Sequence, residues 1–237
     1  MDDRDLLLAA LARDTAAFTT LLHDGDLDAA VPDCPGWNVA DLADHLGGIH
    51  AWAHGIVTTG RPSDPPTAAS DRSLLADWYA GHATALHVAL ASTDPATEVW
   101  TFGPPPRTTA FWVRRQPLET AVHLRDAQRA LGEAAPLDPW LAAAGVDEVV
   151  SMMSPRQVRL ERIPPLAQGV RLELTDTGGS HVLAGDGLDP HAAYDATVHG
   201  SAEQVFLWLW GRLPTSELEV EGDVGAVAAA HATALTP

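Results

Sequence analysis

The sequence predicts a two-domain α+β protein, with an all-α helical domain over residues 1–154 and a smaller α+β domain over residues 155–237. Three observations carry that expectation. Before Pro155, apolar residues recur at helical spacing in long stretches. After it, short runs alternate apolar and polar residues between Gly, Asp and Ser clusters, as strands do. Connectors rich in Pro and Gly interrupt the helical period at intervals.

Residues 4–23 form the first helix on the stripe Leu7, Leu8, Leu11, Phe18, Leu21 and Leu22, and Gly25 within an aspartate cluster ends it. Val31-Pro32-Asp33-Cys34-Pro35-Gly36-Trp37 is a non-helical connector. Asn38 then caps a second helix, 39–57. Residues 60–70 are a Pro-, Ser- and Asp-rich loop, and a third helix covers 72–92 with Leu74, Leu75, Trp78, Tyr79, Leu86 and Leu90 as core. Glu98 to Phe102 reads as a short extended piece, and Gly103-Pro104-Pro105-Pro106 cannot be helix. The fourth helix is 109–132, closed by Gly132 and kinked at Pro117. A further helix at 138–153 carries Trp140, Leu141, Val146, Val149 and Met152. Then come a strand at 169–176, a turn at 177–180, and strands at 181–184 and 196–200. Ser201 opens a helix at 202–212, with Glu203 and Gln204 in its first turn. A last strand at 218–221 and a last helix at 224–235 complete the chain.

Composition excludes several functions. The formal net charge is −18 over 237 residues, which repels phosphate backbones and argues against nucleic acid as a partner. All 14 basic residues are arginine, which removes Schiff-base chemistry, a phosphate-loop lysine and a lysine general base. The single cysteine, Cys34, makes no internal disulfide and no zinc-finger spacing. No apolar run reaches the roughly 18 residues of a membrane span. The start Met1-Asp2-Asp3-Arg4-Asp5 is acidic where a signal peptide is basic, so a cytoplasmic protein is expected.

The chemistry centres on Glu119 and His123, four residues apart in the fourth helix. At that spacing two side chains share one helical face, roughly 6 Å apart at Cβ, a span that one metal ion bridges. The third ligand is expected from the second helix, which carries His45, His50 and His54. Its apolar stripe is Val39, Leu42, Leu46, Ile49, Ala53 and Ile56; His45 and Trp52 lie at the edge of it, while His50 and His54 turn away toward solvent. The expected metal ligands are therefore His45, Glu119 and His123, with an open coordination position. Asp126 is either a carboxylate that fixes the His123 tautomer or a surface acid. Trp37, Trp52 and Trp112 are either walls of an apolar pocket or core.

Cys34-Pro-Gly-Trp37, Val39-Ala-Asp-Leu42 and His45-Leu-Gly-Gly48, together with Glu119-Thr-Ala-Val-His123 and Arg125-Asp126, resemble the mycothiol-dependent maleylpyruvate isomerase family, within the DinB-like group of metal-binding four-helix bundles. Leu174-Thr-Asp-Thr177, Gly200-Ser-Ala-Glu203 and Gly211-Arg212 resemble that family's small C-terminal domain, related to sterol-carrier folds. The resemblance implies His45, Glu119 and His123 as ligands of zinc. It implies mycothiol, the low-molecular-weight thiol of actinomycetes, as cosubstrate. It places Arg212 as a functional arginine, against a plain reading in which it caps the last turn of a helix. The implied activity is isomerisation of the maleylpyruvate type or thiol S-transfer to a small electrophile, in a monomer or homodimer.

Two other readings fit the same residues. Two histidines and one carboxylate also make the facial triad of non-haem iron oxygenases. The other is a non-catalytic bundle that binds a small ligand or partner, with the metal structural or absent; Cys34 is the only soft ligand available to a closed structural site.

Overall fold

The computed structural model describes residues 3–64, 66, 71–132, 134–189 and 191–237. The chain divides into two compact units, Met1–Ala135 and Pro136–Pro237. The division falls earlier than the sequence expectation of 1–154 and 155–237. The helix that follows Pro136 packs within the second unit, against that unit's own helix at 202–209, which explains the earlier border.

The first unit holds α1 (Asp3–Asp24), α2 (Val39–Thr59), α3 (Leu75–Ser92) and α4 (Thr109–Ala130). Both α1 and α2 pack against α3 and α4. Phe18, Leu42, Leu46, Tyr79 and Ala127 are fully enclosed in the core between them. Each large apolar side chain removed from water in this way contributes about 1.5–3 kcal/mol. Asn38 sets the start of α2 through a capping box: its side chain accepts from the Asp41 amide at 2.9 Å, and its own amide donates to the Asp41 carboxylate at 3.0 Å. That cap fixes the phase of the helix, and hence where His45 points. Helix α4 runs unbroken through Pro117. The extended piece expected at Glu98–Phe102 reduces to one isolated bridge, Glu98 to Thr108. Residues 65 and 67–70 of the 60–70 loop lie outside the described residues.

The second unit opens with α5 (Pro139–Glu148), which continues through a π-helical turn (Val149–Met153) into α6 (Ser154–Arg159). The helical run thus passes the expected end at 153. Pro155 sits in the first turn of α6, where a missing N–H is harmless. The strands β1 (Leu166–Leu174), β2 (Ser180–Gly185), β3 (Ala196–Gly200) and β4 (Glu219–Gly222) form one sheet in the order β2-β1-β3-β4. β1 pairs antiparallel with β2 and parallel with β3, and β4 is antiparallel to β3. Val170, Leu172, Leu174, Ala196 and Val198 supply its buried face, alternating with Arg171, Glu173, Thr197 and His199. Helices α7 (Ala202–Leu209) and α8 (Val224–His231) pack against β1 and β3. α7 stops short of 212 because Gly211 takes a left-handed φ of 69°. No helix among the described residues is long and apolar enough to cross a membrane.

Gly145 is where α5 and α7 meet most closely. A Cβ there would stand 2.4 Å from the Phe206 ring. Phe206 is buried at 1% exposure, so its ring has nowhere to go. The expected result for Gly145→Ala is a net loss of about 1 kcal/mol, because overpacking of about 2 kcal/mol, the middle of its usual range, outweighs the roughly 1 kcal/mol gained in helix propensity. Urea unfolding checks it; an unchanged or raised midpoint would contradict the packing argument.

Candidate metal centre

The first unit brings α2 and α4 together along two stacked layers. His45 meets Glu119 and His123 in one layer, and Trp52 meets Trp112 in the other. Position number rises along α2 while it falls along α4, so the two helices run antiparallel. Helix periodicity then repeats each contact at seven residues, two turns and about 10 Å further on.

In the first layer, Glu119 Oε1 lies 3.5 Å from His45 Nε2 and 3.5 Å from His123 Nε2. The donor atoms of the three residues all lie within 4.8 Å of one another. A tetrahedral ion with bonds of about 2.0–2.1 Å spaces its ligand atoms about 3.3 Å apart, so the observed spacing fits a divalent ion such as zinc. The donor set, two imidazole nitrogens and one carboxylate oxygen, fits as well. Glu119 and His123 side chains are enclosed, at 8% and 7% exposure, whereas His45 retains 33%. The way in from outside is therefore past His45.

The neighbours of this trio were not legible in the sequence, apart from Asp126. Arg115, one turn before Glu119 on α4 and itself buried, pairs with the other carboxylate oxygen, Oε2. Burial pushes the Glu119 carboxyl up, but Arg115, with hydrogen bonds from His123 and His45, holds it well below the usual carboxylate range. Asp126 is fully buried and accepts from His123 Nδ1 at 3.1 Å. An ionised carboxylate only accepts, so Nδ1 carries a proton, and Nε2 is the ring nitrogen turned toward Glu119. Burial pushes His123 down, and Asp126, Cys34 and Glu119 around it raise it well above the usual imidazole range. The Cys34 thiol donates to Asp126 at 3.6 Å, and Cys34, His123 and Asp126 form a second close group of donors. Cys34 thus shares Asp126 Oδ2 with His123 Nδ1. Nothing in the i, i+4 pattern points to a thiol 92 residues upstream.

Of the three tryptophans, Trp37 stands beside the trio, its ring 5.0 Å from that of His45. Trp112 is fully buried and donates from Nε1 to the Trp100 carbonyl at 3.0 Å. It packs with Trp52, Trp100, Phe102 and Phe111, which makes it core. Arg212 belongs to the second unit; it donates to the Trp210 carbonyl at 2.7 Å and lies over the Trp210 ring at 5.7 Å, as the helix-end reading describes.

His50 corrects the sequence expectation. It was expected to turn toward solvent, but it is fully buried. The reason is that α2 packs on both α3 and α4, so its buried arc is wider than one apolar stripe. Thr120 Oγ1 donates to the Gln116 carbonyl at 2.8 Å, so it accepts from His50 Nε2 at 3.0 Å. His50 Nδ1 then has a lone pair and no hydrogen-bond partner among the described residues. Burial lowers the His50 pKa to about 3, and the ring is neutral at physiological pH.

Comparison with known proteins gives matches to both units. The family model described as Mycothiol maleylpyruvate isomerase N-terminal domain matches residues 8–128, and that described as MDMPI C-terminal domain matches residues 141–229. Among solved structures, the mycothiol-dependent maleylpyruvate isomerase is similar with a TM-score of 0.67 at 15% identity. A histidine-to-alanine mutant of it gives 0.70 at 13%. Each alignment covers 94% of this chain and 95% of the other. At such identities the likeness is one of fold. No curated protein matches.

Proposed function

This chain belongs to the mycothiol maleylpyruvate isomerase family, and from that premise we propose that it is a metal-dependent enzyme that uses a low-molecular-weight thiol, mycothiol, on a small electrophilic substrate. The observation that carries the proposal is the convergence of His45, Glu119 and His123 within 4.8 Å. These three residues would hold a divalent ion, zinc on the donor set. When bound, the ion supplies a Lewis acid that favours the thiolate form of a thiol and polarises a carbonyl.

The chain's own residues do the rest. Asp126 holds the His123 proton on Nδ1, so Nε2 is the nitrogen that would face an ion. Arg115 neutralises the carboxylate of Glu119, so a dication in the site keeps its full two positive charges for an incoming anion. Trp37, against His45, gives the entrance an apolar wall.

On a substrate with a cis double bond conjugated to a carbonyl, the thiolate adds at carbon and the former double bond rotates as a single bond. Expulsion of the same thiolate leaves the trans isomer, with no net consumption of thiol. On a substrate with a leaving group, the same attack leaves an S-conjugate.

The test is calorimetric titration of mycothiol into protein of known zinc content, with His45→Ala alongside. Zinc-dependent thiol binding that is lost in the variant is the expected result. Zinc-replete protein that does not bind the thiol would overturn the thiol reading and leave the metal reading standing.

A further inference from the structure

The environment of Glu119 is split between its two oxygens. Oε1 faces both histidines at 3.5 Å, and Oε2 is taken by the buried Arg115. Both residues stand on α4 four positions apart, so the helix itself holds the pair in place. We propose that Arg115 is a positioning residue that restricts Glu119 to one-oxygen ligation and thereby tunes the site toward zinc and against larger, oxygen-preferring dications. This rests on the metal reading above.

The physical argument has two steps. A carboxylate with both oxygens free can chelate a dication, which adds a ligand and favours ions that accept six or more oxygens, such as manganese. A carboxylate with one oxygen held by a guanidinium offers only the other. With two imidazoles it then makes a three-donor set, which suits a four-coordinate ion with one exchangeable position. Arginine suits this task because it stays charged even when buried, and here its terminal nitrogen pairs with Oε2, the oxygen turned away from the histidines.

The experiment measures zinc and manganese affinities by competition with a chromogenic chelator, for the wild type, Arg115→Gln and Arg115→Lys, together with the structure of the zinc-loaded wild type. In Arg115→Gln the zinc-to-manganese affinity ratio is expected to fall tenfold or more. In Arg115→Lys, which keeps a cation at Oε2, the ratio is expected to stay within a factor of about three of the wild type. An ion pair that serves folding alone would lower stability and leave the ratio unchanged, and that result would overturn the proposal. If Arg115→Gln does not fold, the zinc-loaded wild type decides: a one-oxygen Glu119 with Arg115 on Oε2 supports the proposal, and a chelating Glu119 refutes it. Wild-type protein that takes up no zinc would overturn the metal reading and this inference with it.

Discussion

His123→Ala is expected to lower zinc affinity by about 10²–10³-fold and to leave the purified protein without stoichiometric metal. The magnitude follows from dividing the roughly 10–16 kcal/mol of a four-ligand zinc site among its ligands, about 2.5–4 kcal/mol each. Two features of the site make the loss difficult to repair. His123 is enclosed, so no solvent-exposed group can swing into its place. The imidazole is also held from behind by Asp126, so its removal takes one hydrogen-bond donor away from a fully buried carboxylate. The pH dependence has a definite sign. In the metal-free protein, protonation at Nε2 competes with metal there, and the neighbouring acids favour the protonated ring. Zinc affinity of the wild type should therefore fall as pH is lowered, and the part of that slope owed to His123 should vanish in the variant. Metal analysis after dialysis, with circular dichroism to establish folding, reads the effect. A folded variant with wild-type metal content would remove His123 from the site.

The trio was legible in the sequence because its parts obey local rules. Glu119 and His123 are four apart on one helix, and His45 lies at the edge of an apolar stripe that Asn38 caps into phase. What was not legible depends on tertiary placement. Arg115 stands in a run of polar residues and shows its role only once Oε2 is seen to face it. Cys34 lies in a connector whose path no periodicity gives. The burial of His50 is hidden for a related reason: a single apolar stripe marks only one inward face, while α2 is enclosed from two sides. The strands were well read, β3 to the residue, because alternation between Val, Leu and charged residues survives wherever one face of a sheet is covered. The unit border was missed because α5 looks like any amphipathic helix, and only its contact with α7 assigns it to the second unit.

His50 should make the bundle lose stability as the solution is acidified, in a range where few carboxylates titrate. In the unfolded chain its imidazole binds a proton near pH 6.5, whereas in the folded protein burial holds the pKa at about 3. The folded-state pKa is the lower one. The contribution is therefore fully present above pH 6.5 and is lost progressively as pH falls toward 3, because the unfolded state takes up a proton that the folded state refuses. Between pH 7 and pH 5 this amounts to about 2 kcal/mol. His123 works in the opposite sense in metal-free protein, since its folded pKa is raised and its contribution grows on acidification. Over the same interval that gain is limited by titration of the unfolded imidazole to about 1 kcal/mol, so His50 dominates the pair. The comparison that isolates it is His50→Gln, whose amide nitrogen can still donate to Thr120 and which does not titrate. Urea unfolding of metal-free protein at the two pH values should show the wild type losing about 2 kcal/mol more than the variant. Equal losses would mean that the folded protein accommodates a charged His50. The unpartnered Nδ1 would then have to reach a proton acceptor that the enclosed geometry does not provide.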